Sequence, residues 1–85
     1  HNPLVRDYVS LGNGYHVVNF RIPESLEGKR LETLTHSSKF NLRCIGVMRG
    51  TEYIGRDGQD CTLQRDDLLI LLGQRTDLRN FAASL

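Results

Sequence analysis

Apolar and polar residues change rhythm several times along this chain, and each change marks an element. Over residues 15–22 they alternate strictly. His16, Val18, Phe20 and Ile22 fall on one side of an extended strand, and Tyr15, Val17, Asn19 and Arg21 on the other. The first set is assigned to the core. Pro23 has no N–H to give to a ladder, so the strand stops near Ile22. Gly28 suits a reversal that needs positive φ. Leu31 and Leu34 then share a helix face, with Glu32 in the first turn. This short helix starts near Arg30 and frays at the polar residues 36–38. Leu26, an apolar residue within the turn, is expected to plug into the core.

Residues 42–49 read as a second strand. Straight alternation sets Leu42, Cys44, Gly46 and Met48 on one face and Arg43, Ile45, Val47 and Arg49 on the other. Apolar residues on both faces predict a central position. Gly50-Thr51 predicts a two-residue hairpin turn of type II′, with residues 52–54 as the returning strand. Residues 61–63 read as a further short strand. The apolar run 68–72 predicts a strand buried on both faces and ended by Gly73. At the C-terminus Thr76 is the expected helix cap, and Leu78, Phe81, Ala82 and Leu85 form one apolar stripe. At the N-terminus Asn2-Pro3 looks like a helix start, with Leu4, Val5, Tyr8 and Val9 at helical spacing and Gly12-Asn13-Gly14 as its end.

Composition narrows the function. Eighty-five residues make one domain. A chain of this length buries only about 60–65% of its unfolded surface, so a partner would help it. Eleven basic against ten acidic residues, net +1, leave no field for nucleic acid or an anionic membrane. No apolar run approaches the roughly 20 residues of a membrane span, so direct insertion by this segment is not expected. Cys44 and Cys61 are too few for a disulfide framework, and with His16 and His36 they contain no close pair for zinc. They suit reduced thiols in a cytoplasmic setting. His16 or His36 with Asp57 or Asp60 are the conceivable acid–base pairs, but no spacing brings them together. Ser37 and Ser38 lack a nucleophile-elbow context. No catalytic residue, metal ligand or cofactor is assigned, and an enzyme is not expected.

Three stretches carry a resemblance. They are Ile22-Pro23 followed by Leu26-Glu27-Gly28-Lys29-Arg30-Leu31, then Ile45-Gly46-Val47-Met48-Arg49-Gly50, then Thr62-Leu63-Gln64-Arg65-Asp66-Asp67 running into the apolar stretch that ends at Gly73. In this order and spacing the chain resembles the TrkA C-terminal domain, the C-terminal lobe of regulator-of-potassium-conductance (RCK) proteins, over about residues 15–85. The resemblance implies an α+β two-layer sandwich, a small and mostly antiparallel sheet with helices on one face. It implies a homodimer that regulates a potassium or other cation channel, transporter or antiporter. Residues 1–14 would then be a linker or N-terminal helix from a preceding region, such as a Rossmann-type lobe, and the domain would be cytoplasmic, held at the membrane through its parent or partner transporter. No G-x-G-x-x-G is present, so dinucleotide binding of that kind is not expected of this segment.

The chain departs from the family pattern in several places. Asp66 stands where Gly is common before the next Asp, and Gly55-Arg56-Asp57-Gly58 stands where a proline-containing run is usual. Some members bind cyclic di-AMP in a dimer cleft through an Asn early in the central strand and an Arg near the end of the first helix. Arg43 and Ser37 occupy those places here. With Arg43 and Arg49 on one face of the central strand and Lys39 nearby, two copies would converge cationic groups on a cleft, and an anionic or nucleotide effector would fit them. The alternative is a pure dimerisation and assembly module without an effector, its arginines paired with neighbouring acids.

Overall fold

The computed structural model describes residues 5–37, 40–56 and 59–85. Five strands form one antiparallel sheet: β1 (Val5–Gly12), β2 (Tyr15–Arg21), β3 (Leu42–Arg49), β4 (Glu52–Ile54) and β5 (Leu68–Gln74), in the spatial order β1-β2-β5-β3-β4. Two helices, α1 (Leu31–Ser37) and α2 (Arg75–Ala83), lie on one face. The fold is thus the expected small α+β domain.

The core forms where the inward faces of the three long central strands meet the helices. Val18 and Phe20 of β2, Val47 of β3 and Leu69 and Leu71 of β5 are buried against Leu31, Leu78 and Phe81. Phe81 sets its ring edge-on to Phe20 at 5.7 Å and to Phe40 at 6.2 Å. Leu26 sits in a 3-10 turn, Glu24–Leu26, that follows Pro23, and is buried as expected. Gly28 takes a φ of 83°.

The N-terminal segment is a strand, not the helix that its spacing suggested. Val5, Tyr8 and Val9 have helical spacing, but over so short a span that pattern is weak. What decides is the sequence that follows: Gly12, Asn13 and Gly14 all take positive φ and fold the chain back onto β2. Residues 2–4, including the expected Asn2-Pro3 cap, lie outside the described residues. Two register shifts leave Arg6 and Leu11 as extra residues on β1.

The alternation expected along β3 fails midway. Cys44 pairs with Leu71 but Gly46 pairs with Ile70, so Ile45 is an extra residue, a β-bulge. Leu42 and Cys44 face the helices, and beyond the bulge Val47 and Arg49 do. Tyr53 of β4 explains the position. Its ring covers Gly46, where a Cβ would collide with it, and its hydroxyl donates to the Ile45 carbonyl at 2.8 Å.

Smaller differences follow from tertiary contacts. Residues 61–63 form no strand beyond a single bridge, Arg30 to Thr62. Strand β5 continues past Gly73 to Gln74, and Gln74 rather than Thr76 occupies the N-cap of α2, without a side-chain bond. Leu85 lies beyond α2 and is exposed. Leu69 and Leu71 are buried, whereas Leu68, Ile70 and Leu72 on the other face are only half-buried.

Asp66 sits in the left-handed region at φ 69° and, among the described residues, is held by one exposed 3.8 Å contact with Arg21. A side chain costs energy there and glycine does not, against a smaller loss through the unfolded chain. Asp66→Gly should therefore stabilise the domain by about 0.5–1 kcal/mol. A thermal melt should rise by about 3–6 °C; an unchanged or lower midpoint would contradict the strain at this position.

Candidate functional site

Arg43 and Arg49, expected on one face, point to opposite faces because the bulge at Ile45 lies between them. Arg43 is opposite Leu72, on the face away from the helices, exposed and without an ion pair or hydrogen bond among the described residues. Lys39 lies outside the described residues, as do Asp57 and the side chains of His36 and Ser37.

Arg49 points inward and is paired through two of its three guanidinium nitrogens. Its Nε donates to Asp67 Oδ1 at 3.0 Å, and its Nη2 donates to Asp67 Oδ2 at 2.8 Å and to the Thr62 carbonyl at 2.9 Å. Asp67 is completely buried and also accepts the Gln64 N–H at 2.8 Å. The pairing raises the Arg49 pKa, chiefly through the Asp67 hydrogen bond. This two-pronged pair fixes the connector between β4 and β5 to the end of β3. The Asp67 carbonyl accepts the Ile22 N–H at 3.0 Å, which ties the end of β2 to the same point.

A second carboxylate holds the other end of the connector. Asp60 accepts the Glu32 N–H at 2.8 Å, the Cys61 N–H at 2.9 Å and the Arg30 guanidinium at 2.6 Å. The connector then pairs with residues 28–31 through Gly28 N–H to Leu63 O, Leu63 N–H to Lys29 O, and Leu31 N–H to Cys61 O. The start of α1 and the end of β3 are therefore wired to one strip of chain.

The Glu32 N–H, assisted by Arg30, holds the Asp60 carboxyl below its ordinary pKa. A lowered pKa in the folded state stabilises the fold above the unfolded carboxylate range, and that contribution is lost as pH falls through the folded value. Acid unfolding of Asp60→Asn should therefore depend less on pH below the ordinary carboxylate pKa than that of the parent. Superimposable acid limbs would show that Asp60 contributes nothing to the linkage.

The candidate acid–base and thiol residues that are described lie apart. His16 stacks on Tyr8 at 4.5 Å with its Nδ1 buried and unpartnered, while Asp60 is occupied by Arg30. Cys44 and Cys61 are free, and burial pushes the Cys44 thiol up to about 11 and Cys61 in the same direction. Among the described residues no group of three His, Cys, Asp or Glu side chains is placed to hold a metal, and no helix is long and apolar enough to cross a membrane. A small apolar cavity lies between the helices and the sheet, lined by Leu34, Leu42, Cys44 and Phe81 among others. Its described lining is apolar apart from the Cys44 thiol, which donates to the Gly46 carbonyl at 3.4 Å.

Sequence reasoning missed the burial of Asp67. Its partner lies 18 residues away in sequence, beyond the hairpin. The one available signal is an acid directly before an apolar strand, in a chain whose preceding long strand ends in Arg.

Comparison with known proteins adds three findings. The model of the TrkA-C domain family matches residues 17–85. The chain is 31% identical over 81 residues to the Ktr system potassium uptake protein A of Vibrio alginolyticus, which covers 95% of this chain and 37% of that protein. It thus spans little more than a third of that relative's length. Among solved structures, the RCK C domain of the potassium transport protein KtrA, in complex with cyclic diadenosine monophosphate, superposes with a TM-score of 0.69 over 81% of both chains. At 24% identity this likeness concerns the fold alone.

Proposed function

The chain belongs to the TrkA-C domain family, and from that premise we propose that it is the regulatory domain, ligand-sensing and dimerising, of a potassium or other cation channel, transporter or antiporter. The observation that carries this reading is the likeness to a potassium uptake protein across nearly the whole chain. The domain acts without catalysis. It works in the cytoplasm, attached to a membrane transport protein or to a Rossmann-type RCK lobe within the parent protein. Residues 15–85 are the regulatory unit expected from the sequence, and β1 (Val5–Gly12), from the stretch that leads into it, is built onto the edge of its sheet. Its own partner is a second copy, as the family resemblance implies, and a small core gains from a partner subunit or from the parent protein alike.

Arg43 is the residue on which an effector would bear. Its guanidinium is exposed and unpaired among the described residues, and its forked donors fit phosphate or carboxylate. Lys39 and Arg49 complete the set expected from the sequence, but the Arg49 fork is taken up by Asp67. The KtrA domain was solved with cyclic diadenosine monophosphate. Here Arg43 stands at the place that the family pattern gives to Asn, so a simpler anion or another nucleotide suits this chain at least as well. A thermal-shift screen of nucleotides, phosphate and sulfate at low salt tests this. The fitting anion should raise the melting temperature, less so as salt increases, and Arg43→Ala should abolish the response. No response in the parent chain, or an equal one in Arg43→Ala, removes the sensing function.

The engaged Arg49 favours a second reading, a dimerisation and assembly module with no small-molecule effector. It predicts a concentration-dependent dimer that no anion stabilises.

A further inference from the structure

Strand β1 differs from the other long strands in what holds it. Strands β2, β3 and β5 each give the core buried residues, whereas none of the described β1 side chains enters it. Tyr8 is 46% exposed, and Val9 and Leu11 are each 55% exposed. Asp7, Ser10 and Gly12 are exposed as well. Among the described residues, the strand is held by its ladder to β2 and by two side-chain contacts. One is the stack of Tyr8 on His16 at 4.5 Å. The other is the exposed 3.3 Å bond from the Asn19 amide to Asp7.

The attachment is also imperfect. The β1–β2 ladder is interrupted at Arg6 and again at Leu11, whereas β2 pairs with β5 without a shift from Tyr15 to Arg21. The His16 ring beside Tyr8 carries an Nδ1 that is buried without a partner, a cost the docked arrangement bears. Strand β1 joins β2 through Gly12, Asn13 and Gly14, all at positive φ, and both glycines have open space around them. Few buried contacts, an exposed ladder and a glycine pivot mark a segment that opens locally at low free energy. The TrkA-C family model begins at residue 17, past this strand.

We propose that β1 is a detachable strap, which leaves and rejoins the edge of β2 while the rest of the domain stays folded. In the function proposed above, on which this rests, the stretch before residue 15 leads in from a preceding region. The state of β1 then decides where that region is tethered. Docked, the strap brings the chain in beside Phe20, the partner of Val5. Released, the chain enters at Tyr15, about 17 Å further along β2. The freed strand also adds up to about 27 Å of slack, at about 3.4 Å for each of its eight residues. A preceding region that favours one tether length shifts the docking equilibrium, by no more than its differential free energy for the two states. The strap is thus an order–disorder element at the entry to the domain, and the core does not have to open for it to act.

Native-state hydrogen exchange on the 85-residue chain, repeated across low urea concentrations, tests the strap. The β1 amides bonded to β2 should be protected at least about a hundredfold less than those of β5. They should also show almost no dependence on urea, since local opening exposes little surface. A smaller difference, or a urea slope shared with β5, would show that β1 opens only with the whole domain and overturns the proposal. The variant Tyr8→Pro/Val9→Pro gives the second test. Consecutive residues of a strand point their N–H groups to opposite sides, so one of the two prolines must remove a bond to β2. The variant should fold, with its urea midpoint lowered by less than about 1 M. A variant that fails to fold, or loses more than that, overturns the proposal, because the core then needs β1. Either failure removes the strap alone. The regulatory reading stands or falls separately, on the anion response of the parent chain.

Discussion

Replacing Phe81 by alanine should lower the stability of the domain by about 3–5 kcal/mol, the usual cost of removing a buried phenylalanine ring. The ring is 8% exposed and makes edge contacts with both Phe20 and Phe40. It is the main anchor of α2, whose other buried residue is Leu78. It also borders the apolar cavity between the helices and the sheet. The space vacated would join that cavity, which places the cost toward the upper end of the range, since residual cavity volume adds to lost transfer energy. Small domains are stable by only about 5–15 kcal/mol, so the variant should be partly unfolded at modest urea concentrations. Leu85→Ala is the comparison. Leu85 belongs to the same sequence stripe but lies beyond the helix and is exposed, so its removal should barely move the midpoint. Equal urea midpoints for the two variants would mean that α2 is not docked through Phe81.

Arg49→Met should be nearly as damaging. It leaves the Asp67 carboxylate wholly buried with the Gln64 N–H as its remaining close donor. Breaking a buried ion pair from one side costs about 3–5 kcal/mol, because the abandoned charge has no water to return to. Adding Asp67→Asn should restore part of the loss, since the amide oxygen still accepts from Gln64 and no charge is buried. This recovery distinguishes an abandoned charge from simple loss of packing. Chemical denaturation of the two single variants and the double variant gives the answer. A double variant no more stable than Arg49→Met would show that packing, not charge, made the pair matter. The double variant also separates structure from sensing. Any anion response that depends on Arg43 should survive in it.

Much of the fold was legible because its signals are local. Pro23 ends the first alternating strand, positive φ at Gly50 closes the β3–β4 hairpin, and the bounds of β3 and β4 fall where the apolar rhythm placed them. The candidate site was less legible because it depends on phase. One extra residue at Ile45 reverses which face every later β3 side chain takes, and within residues 42–49 the sign of it is Gly46, a residue type that often marks a bulge. Its cause lies on the next strand, where Tyr53 covers Gly46. The same limit explains Asp67, whose burial depends on a partner beyond the hairpin. For β5 the apolar run predicted burial on both faces, whereas only the side towards the helices is buried, because a run cannot say what covers each face.

The two irregular residues on β1 bear on how this protein behaves when concentrated. A sheet with a long regular edge can recruit the edge of another copy, and that copy a third, so growth has no natural end. Here one edge is interrupted at Arg6 and again at Leu11, and the other is the three-residue β4. Neither gives an incoming chain a continuous row of hydrogen-bonding groups. Fibre growth by strand addition is thereby discouraged at both ends, and the contacts left to this chain are ones that can close on themselves.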